Sequence, residues 1–304
     1  MNDLLKLAID AALRAGDAIL QIYARDFDVE FKADSSPLTE ADKAAHHIIC
    51  DALEDIGLPI LSEESKAIAY DERKAWTKYW LVDPLDGTKE FIKKNGEFTV
   101  NIALIENGRP VMGVVYAPVL KTIYFGIVGE GAFRTTGDNL FQALESGSTA
   151  GRVVFQGLEK STESLPCGVS DEGVIKVVAS RSHMNSETEE FIAELEKAGR
   201  VELVSSGSSL KLCMVAEGSA DVYPRIAPTM EWDTAAAQAV VEASGATVVK
   251  YDSAVPAASY LTQSAERIEL SEDVSSASSA MPHALCSLLY NKENLLNSYF
   301  VVSR

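Results

Sequence analysis

Cysteine is scarce: four in 304 residues, Cys50, Cys167, Cys213 and Cys286. No two share a CxxC spacing, so neither a zinc site nor a disulfide scaffold is indicated, and free, mostly buried thiols in a reducing compartment are expected. Long apolar runs are missing too. No stretch reaches the ~18 apolar residues that span a bilayer, and Asp3 and Lys6 interrupt the opening run that a secretory leader would need. The expected location is the cytoplasm, with no transmembrane segment. Positive charge is short as well: 27 Lys and Arg against 45 Asp and Glu, a formal net charge of -18. A surface this acidic argues against nonspecific nucleic-acid binding and against an anionic membrane face. A small phosphate substrate would need metal ions and a few local cations to offset the field.

What is present is ordinary globular material, 47% hydrophobic and 24% charged, long enough for a sizeable core in one bilobed unit or two domains. Apolar residues at spacings of three and four predict a helix over 3–24. A turn is expected over 33–37. Thr39 and Asp42 have capping-box spacing ahead of a second helix bearing Ala45, Ile49 and Leu53. Short strands are expected at 59–62 and 80–82. Strands at 98–106, 111–117 and 122–128, with Asn107-Gly108 as a hairpin turn, suggest an antiparallel meander. Gly126, Gly129 and Gly131 follow hairpins instead of opening a helix, which argues against a dinucleotide loop. The polar stretch 144–151 marks the expected boundary between lobes 1–145 and 146–304. The second lobe predicts strands at 174–179, 201–204 and 220–223, the last broken by Pro224. Its helices are expected at 185–195, 210–217 and 231–244, with Gly245 closing the third. Residues 251–282, rich in Ser and Ala, suggest a surface insertion, and the chain ends in an apolar strand. Mixed α and β layers follow.

The densest chemistry lies in Trp80-Leu81-Val82-Asp83-Pro84-Leu85-Asp86-Gly87-Thr88. The apolar lead-in suits a buried strand; Pro84 should end it, and Gly87 can take a positive φ. Asp83 is then expected at the strand end and Asp86 in the following turn. Two carboxylates, the Leu85 carbonyl and the Thr88 hydroxyl could converge as the hard oxygen donors that Mg²⁺ takes. A second ion about 4 Å away would need further carboxylates, and Glu63 and Asp233 are the candidates. Each acid also has an ordinary explanation. Asp-Pro is a common turn dipeptide, Asp233 and Asp42 suit the first turn of a helix, and Glu63-Glu64 suits a surface. Spacing does not separate these readings. Lys211 and Arg225, flanked by apolar or small residues, are open to the same two views: snorkelling side chains or phosphate ligands.

In order, Glu63-Glu64, then Asp83-Pro84-Leu85-Asp86-Gly87-Thr88, then Trp232-Asp233-Thr234-Ala235-Ala236 resemble the inositol monophosphatase superfamily of Mg²⁺-dependent, lithium-inhibited phosphomonoesterases. Gly207-Ser208-Ser209-Leu210-Lys211, Ala220-Asp221-Val222-Tyr223-Pro224-Arg225 and the Asn291-Lys292…Leu295-Leu296-Asn297…Phe300 ending resemble its bacterial CysQ-type 3'(2'),5'-bisphosphate nucleotidases, which serve sulfur metabolism. The resemblance implies an α/β fold, a layered αβαβα sandwich of the sugar-phosphatase type. It implies two Mg²⁺ ions, with a third held more weakly, on Glu63, Asp83, the Leu85 carbonyl, Asp86 and Asp233. Asp42, Glu63 and Thr88 would be catalytic, orienting the water that attacks phosphorus. Gly87, Thr88, His183, Gly207, Ser208, Lys211, Arg225 and Asp233 would meet the substrate, with Gly207 letting the base or ribose approach closely. The implied reaction is hydrolysis of adenosine 3',5'-bisphosphate to AMP, with action on 3'-phosphoadenylyl sulfate, by a monomer or homodimer that can associate peripherally with the inner membrane. The alternatives are an inositol monophosphatase or other small sugar-phosphate phosphatase using the same metal site, and a non-catalytic Mg²⁺- or nucleotide-binding protein.

Overall fold

The computed structural model describes residues 2–32, 37–137, 162–168, 173–179, 184–261 and 286–304. Its first layer is two helices, α1 (Asp3–Tyr23) and α2 (Glu40–Glu54). Each begins on a side-chain cap, Asn2 accepting from the Leu4 N–H and Thr39 from the Ala41 N–H. Their apolar stripes bury Leu5, Ile9, Leu13, Ile19, Ile49 and Leu53 against a seven-stranded sheet. A hairpin of β1 (Val29–Phe31) and β2 (Pro37–Thr39) precedes α2.

The sheet runs in sequence order: β3 (Ile60–Ser62), β4 (Lys78–Asp86), β5 (Thr99–Glu106), β6 (Arg109–Ala117), β7 (Thr122–Ile127), β8 (Gly131–Thr136) and β9 (Thr162–Ser164). It is the expected meander, antiparallel except that β3 lies parallel to β4. Asn107 and Gly108 make the expected hairpin turn, both at positive φ. Both faces of β4 are covered. Trp80 and Val82 pack on the α1 and α2 side, Tyr79 and Leu81 on the other. That other side receives α6 (Leu210–Glu217) and α7 (Ala235–Ala243).

Behind them lies a five-stranded sheet, ordered β11 (Arg200–Val204), β10 (Val174–Val178), β12 (Val222–Arg225), β14 (Phe300–Ser303), β13 (Thr247–Lys250). Helix α5 (Ser186–Ala198) closes the outer face through Phe191, Ile192 and Leu195. The layers are therefore αβαβα. Two short helices, α3 (Tyr70–Arg73) and α4 (Thr88–Ile92), flank β4 in the chain.

Four expectations are corrected. The strand through Asp83 does not stop at Pro84; it runs to Asp86, with its register to β5 shifting between Asp83 and Asp86. That bulge takes Pro84 out of the ladder, so its missing N–H costs no hydrogen bond. Pro224 likewise lies within β12. The pairing of β12 with β10 is at Val222, so Pro224 has a ladder only on its β14 side. The helix expected from 231 starts at Ala235, with turns before it, so Asp233 precedes the helix instead of lying in its first turn. Residues 251–261 are not a surface insertion: Tyr260 is fully buried and packs with Tyr251 on Phe191. The remainder of that stretch to 282, the turn at 33–36, the boundary stretch 144–151 and His183 lie outside the described residues.

Candidate active site

The site is built where β4 ends. The parallel ladder sets Ser62 beside Val82, and the Glu63 N–H continues it onto the Val82 carbonyl at 3.1 Å. Glu63 therefore arrives next to Asp83. The bulge then carries Asp86 round to the same side. From the second half of the chain, the turn ahead of α7 brings in Asp233. One carboxylate oxygen from each of Asp83, Asp86 and Asp233 lies within 4.8 Å of the others.

Each acid is held. Asp83 accepts the Leu85 N–H at 3.1 Å, and Asp233 accepts the Met230 N–H at 2.8 Å. Asp86 Oδ2 accepts from the Ser208 hydroxyl at 2.6 Å. Ser209 Oγ lies 2.8 Å from the same oxygen and 2.7 Å from the Asp233 carbonyl, and receives Asn101 Nδ2 at 2.9 Å. Its single proton serves one acceptor at a time.

Electrostatically the cluster is under tension. Burial pushes the Asp83 carboxyl well above its usual range, and Glu63, Asp86 and Asp233 add repulsion. Burial and then Asp86 raise Asp233, against the opposing Met230 N–H. No ion pair reaches Asp83, Asp86 or Asp233 among the described residues. A divalent cation fits this set. Convergent hard oxygens are what Mg²⁺ binds, and a cation would discharge the mutual repulsion of carboxylates of which Asp83 is buried.

Glu63 stands outside the triad. Its carboxylate turns to Lys32, whose Nζ lies 2.7 Å from Glu63 and 2.6 Å from Glu64. Burial opposes the charge on Lys32, yet the two glutamates hold it above its ordinary range. Lys32 was missed in the sequence because nothing marks a lone lysine before a turn as facing acids 31 residues on.

Asp42 makes the capping box that its spacing predicts, and its second oxygen faces Thr88. Its Oδ2 closes the capping box, accepting the Thr39 N–H at 2.7 Å and the Thr39 hydroxyl at 2.6 Å. Its Oδ1 accepts the Thr88 hydroxyl at 3.3 Å. Burial raises its pKa, with the Thr39 bonds working the other way. Gly87, at φ +91°, caps α4, so the Gly87 and Thr88 N–H groups open a helix as the sequence required for a phosphate contact.

The cleft beside the triad has an empty volume of about 670 Å³, mouth included, and is lined by Asp86, Gly87, Ser208, Lys211, Arg225 and Asp233 among others. Lys211 Nζ donates to the Ser208 carbonyl at 2.7 Å and Arg225 Nη2 to the Pro228 carbonyl at 2.7 Å. Arg225 Nε is buried with no partner among the described residues. Ser208 and Gly207 both line the cleft and also have partners within the chain. The Ser208 hydroxyl donates to Asp86. Gly207 makes room for the protein itself: a Cβ there would lie 2.6 Å from the Glu97 carbonyl. Ser209 and Asn101 were missed as site residues, since a Ser-rich loop and a strand Asn carry no distinguishing signal.

The inositol monophosphatase family model matches residues 1–287. The chain belongs to that family. Two relatives in it are 3'(2'),5'-bisphosphate nucleotidases CysQ. That of Escherichia coli is 46% identical over 241 residues, 78% of this chain and 86% of the relative. That of Salmonella typhimurium is 45% identical over 249 residues, 81% and 89% respectively. Among solved structures of the family, CysQ from Bacteroides thetaiotaomicron aligns with a TM-score of 0.78 at 45% identity, covering 99% of this chain and 97% of its own. The inositol monophosphatase of Thermotoga maritima, at 23% identity and TM-score 0.58, shares the fold.

A pH dependence follows from the acids alone. Asp233 goes from 3.8 to about 8, so the folded state holds its proton more tightly than the unfolded chain. The stability this contributes is complete below pH 3.8 and is lost as pH rises through about 8. In EDTA the Tm of the wild type should therefore fall between those limits relative to Asp233→Asn. Parallel Tm curves in a pH series would contradict this.

Proposed function

We propose that the protein is a Mg²⁺-dependent phosphomonoesterase that removes the 3'-phosphate of adenosine 3',5'-bisphosphate. The observation that carries this is one cleft that holds both chemistries: Asp86 and Asp233, whose carboxylates converge with that of buried Asp83, and the cations Lys211 and Arg225 in the same lining. The names of the similar nucleotidases supply the substrate class. Asp83, Asp86, Asp233 and the Leu85 carbonyl would hold Mg²⁺, with Glu63 joining once it leaves Lys32. Bound Mg²⁺ supplies charge against the phosphate oxygens and a water acidic enough to react near neutral pH. Asp42 accepts the Thr88 hydroxyl proton, which leaves the Thr88 lone pairs to accept from that water and orient it. The Gly87 and Thr88 N–H groups donate to the phosphate. Lys211 and Arg225 take the phosphate that is not cleaved, Arg225 with a guanidinium suited to two parallel bonds. 3'-Phosphoadenylyl sulfate carries the same 3'-phosphate and would be a second substrate.

The test is selectivity. Wild type should prefer adenosine 3',5'-bisphosphate over inositol 1-phosphate in kcat/KM. Lys211→Ala and Arg225→Ala should each cut that preference about tenfold or more, the worth of one charged hydrogen bond. An unchanged ratio in both variants would remove these cations from substrate recognition. A wild type that prefers inositol 1-phosphate would sink the nucleotide assignment.

A further inference from the structure

Asp233 lies in the turn between β12 and α7, outside any strand or helix. Local bonds hold part of that turn, the Ala235 N–H reaching the Glu231 carbonyl and the Met230 N–H reaching Asp233. Much of the rest comes from an irregular tail segment, 290–297. The Asn297 N–H donates to the Thr229 carbonyl at 2.8 Å, and Asn297 Nδ2 lies 2.8 Å from both the Met230 carbonyl and Thr234 Oγ1. The Glu231 N–H donates to the Leu295 carbonyl at 2.9 Å.

Glu231 itself is fully buried, two residues from Asp233. Its carboxylate accepts the Asn291 N–H at 2.7 Å, the Lys292 N–H at 3.0 Å and Lys292 Nζ at 2.7 Å. A charge is costly to bury unless it is satisfied in this way. The same segment grips the half of the chain that carries Asp83 and Asp86. Arg73, almost completely buried, donates to Asn291 Oδ1 and to the Glu293 carbonyl, each at 2.9 Å. Asn291 Nδ2 returns a bond to the Arg73 carbonyl at 2.6 Å, and the Tyr290 N–H reaches the Gly108 carbonyl at 3.0 Å. The tail thus bridges the two sources of the acidic triad.

We propose that residues 290–297 are a strap that sets the Asp233 carboxylate against Asp83 and Asp86, with Glu231 and Asn297 as positioning residues for the metal site. This rests on the reading that Asp233 holds Mg²⁺. Neither positioning residue is among the triad, and both act through the turn they hold. Misplacing a ligand by a fraction of an ångström weakens coordination even when the fold survives.

The experiment is calorimetric Mg²⁺ binding to the full chain, with Tm recorded with and without Mg²⁺. Asn297→Ala and Glu231→Gln should raise the Mg²⁺ Kd about tenfold, the usual cost of losing a group that orients a ligand. They should also shrink the rise in Tm that Mg²⁺ gives. Lys292→Met, whose side chain is 33% exposed, leaves the two backbone N–H bonds to Glu231 in place, so it should fold with a lowered Tm and weaken binding in the same direction. Phe191→Leu, in the outer cluster away from the strap, should lower Tm and leave the Mg²⁺ Kd unchanged. Strap variants that bind Mg²⁺ like wild type would overturn the proposal, and so would Phe191→Leu weakening binding equally. If Asn297→Ala and Glu231→Gln fail to fold, an unchanged Kd in Lys292→Met overturns it alone. A wild type that binds no Mg²⁺ overturns the metal reading, and the strap's role falls with it.

Discussion

Asp83→Asn should lower kcat about 10³-fold or more while raising the Tm of the metal-free protein at pH 7.5. A thousandfold is about 4 kcal/mol of barrier, within the several kcal/mol that a correctly held ion contributes. The gain in stability has a separate cause. Asp83 is almost wholly buried and lies among Glu63, Asp86 and Asp233, so its charged form is disfavoured by burial first and by its neighbours second. Its raised pKa means that the stability linked to its proton is present at low pH and lost as pH rises. Asn keeps the shape, can still accept the Leu85 N–H, and carries no charge. Activity and stability should therefore move in opposite directions. Added Mg²⁺ should stabilise the wild type more than the variant. A variant that is both inactive and less stable in EDTA would point to a structural role for Asp83 instead.

Gly113→Val should be the most damaging single change outside the acids. Gly113 lies on β6 with α7 directly against it. A Cβ built there would fall 2.0 Å from the Ala236 carbonyl oxygen and 2.8 Å from its carbon. Those are backbone atoms, which no rotamer change can move away. The helix must shift or the sheet must bend, at a cost of about 3 kcal/mol or more. Ala236 follows Asp233 by three residues, so any shift of the helix carries the acid with it. Chemical denaturation should show the loss of stability, and Mg²⁺ binding should weaken in whatever fraction folds. A Gly113→Val protein as stable as wild type would show that the helix has freedom the packing does not suggest.

Much of this was legible in the sequence because the local rules were obeyed. The period of α1 and α2, the Asn107-Gly108 turn and the β5–β7 meander need nothing from distant residues. The triad was legible in composition, since three acids stand at the edges of apolar segments. What failed was where long-range pairing overrode a local signal. Pro84 and Pro224 signal strand ends, yet a bulge and a one-sided ladder let both strands continue. The partners of the acids were hidden for the same reason. Ser209 touches Asp86 across 123 positions, Lys32 meets Glu63 across 31, and Asn297 holds Thr234 across 63. No spacing rule reaches that far. Gly207 also shows that a glycine beside a cleft can serve the chain's own packing, here against Glu97, as readily as a ligand.

The acidic triad is proposed to serve metal-dependent hydrolysis of a bisphosphorylated nucleotide. The measurement that tests it most directly is phosphate release from adenosine 3',5'-bisphosphate by the purified wild type in Mg²⁺, in EDTA, and in EDTA followed by excess Mg²⁺. Phosphate should be released in Mg²⁺, not in EDTA, and again once Mg²⁺ is restored. Release that continues undiminished in EDTA, or no release under any of the three conditions, would contradict it.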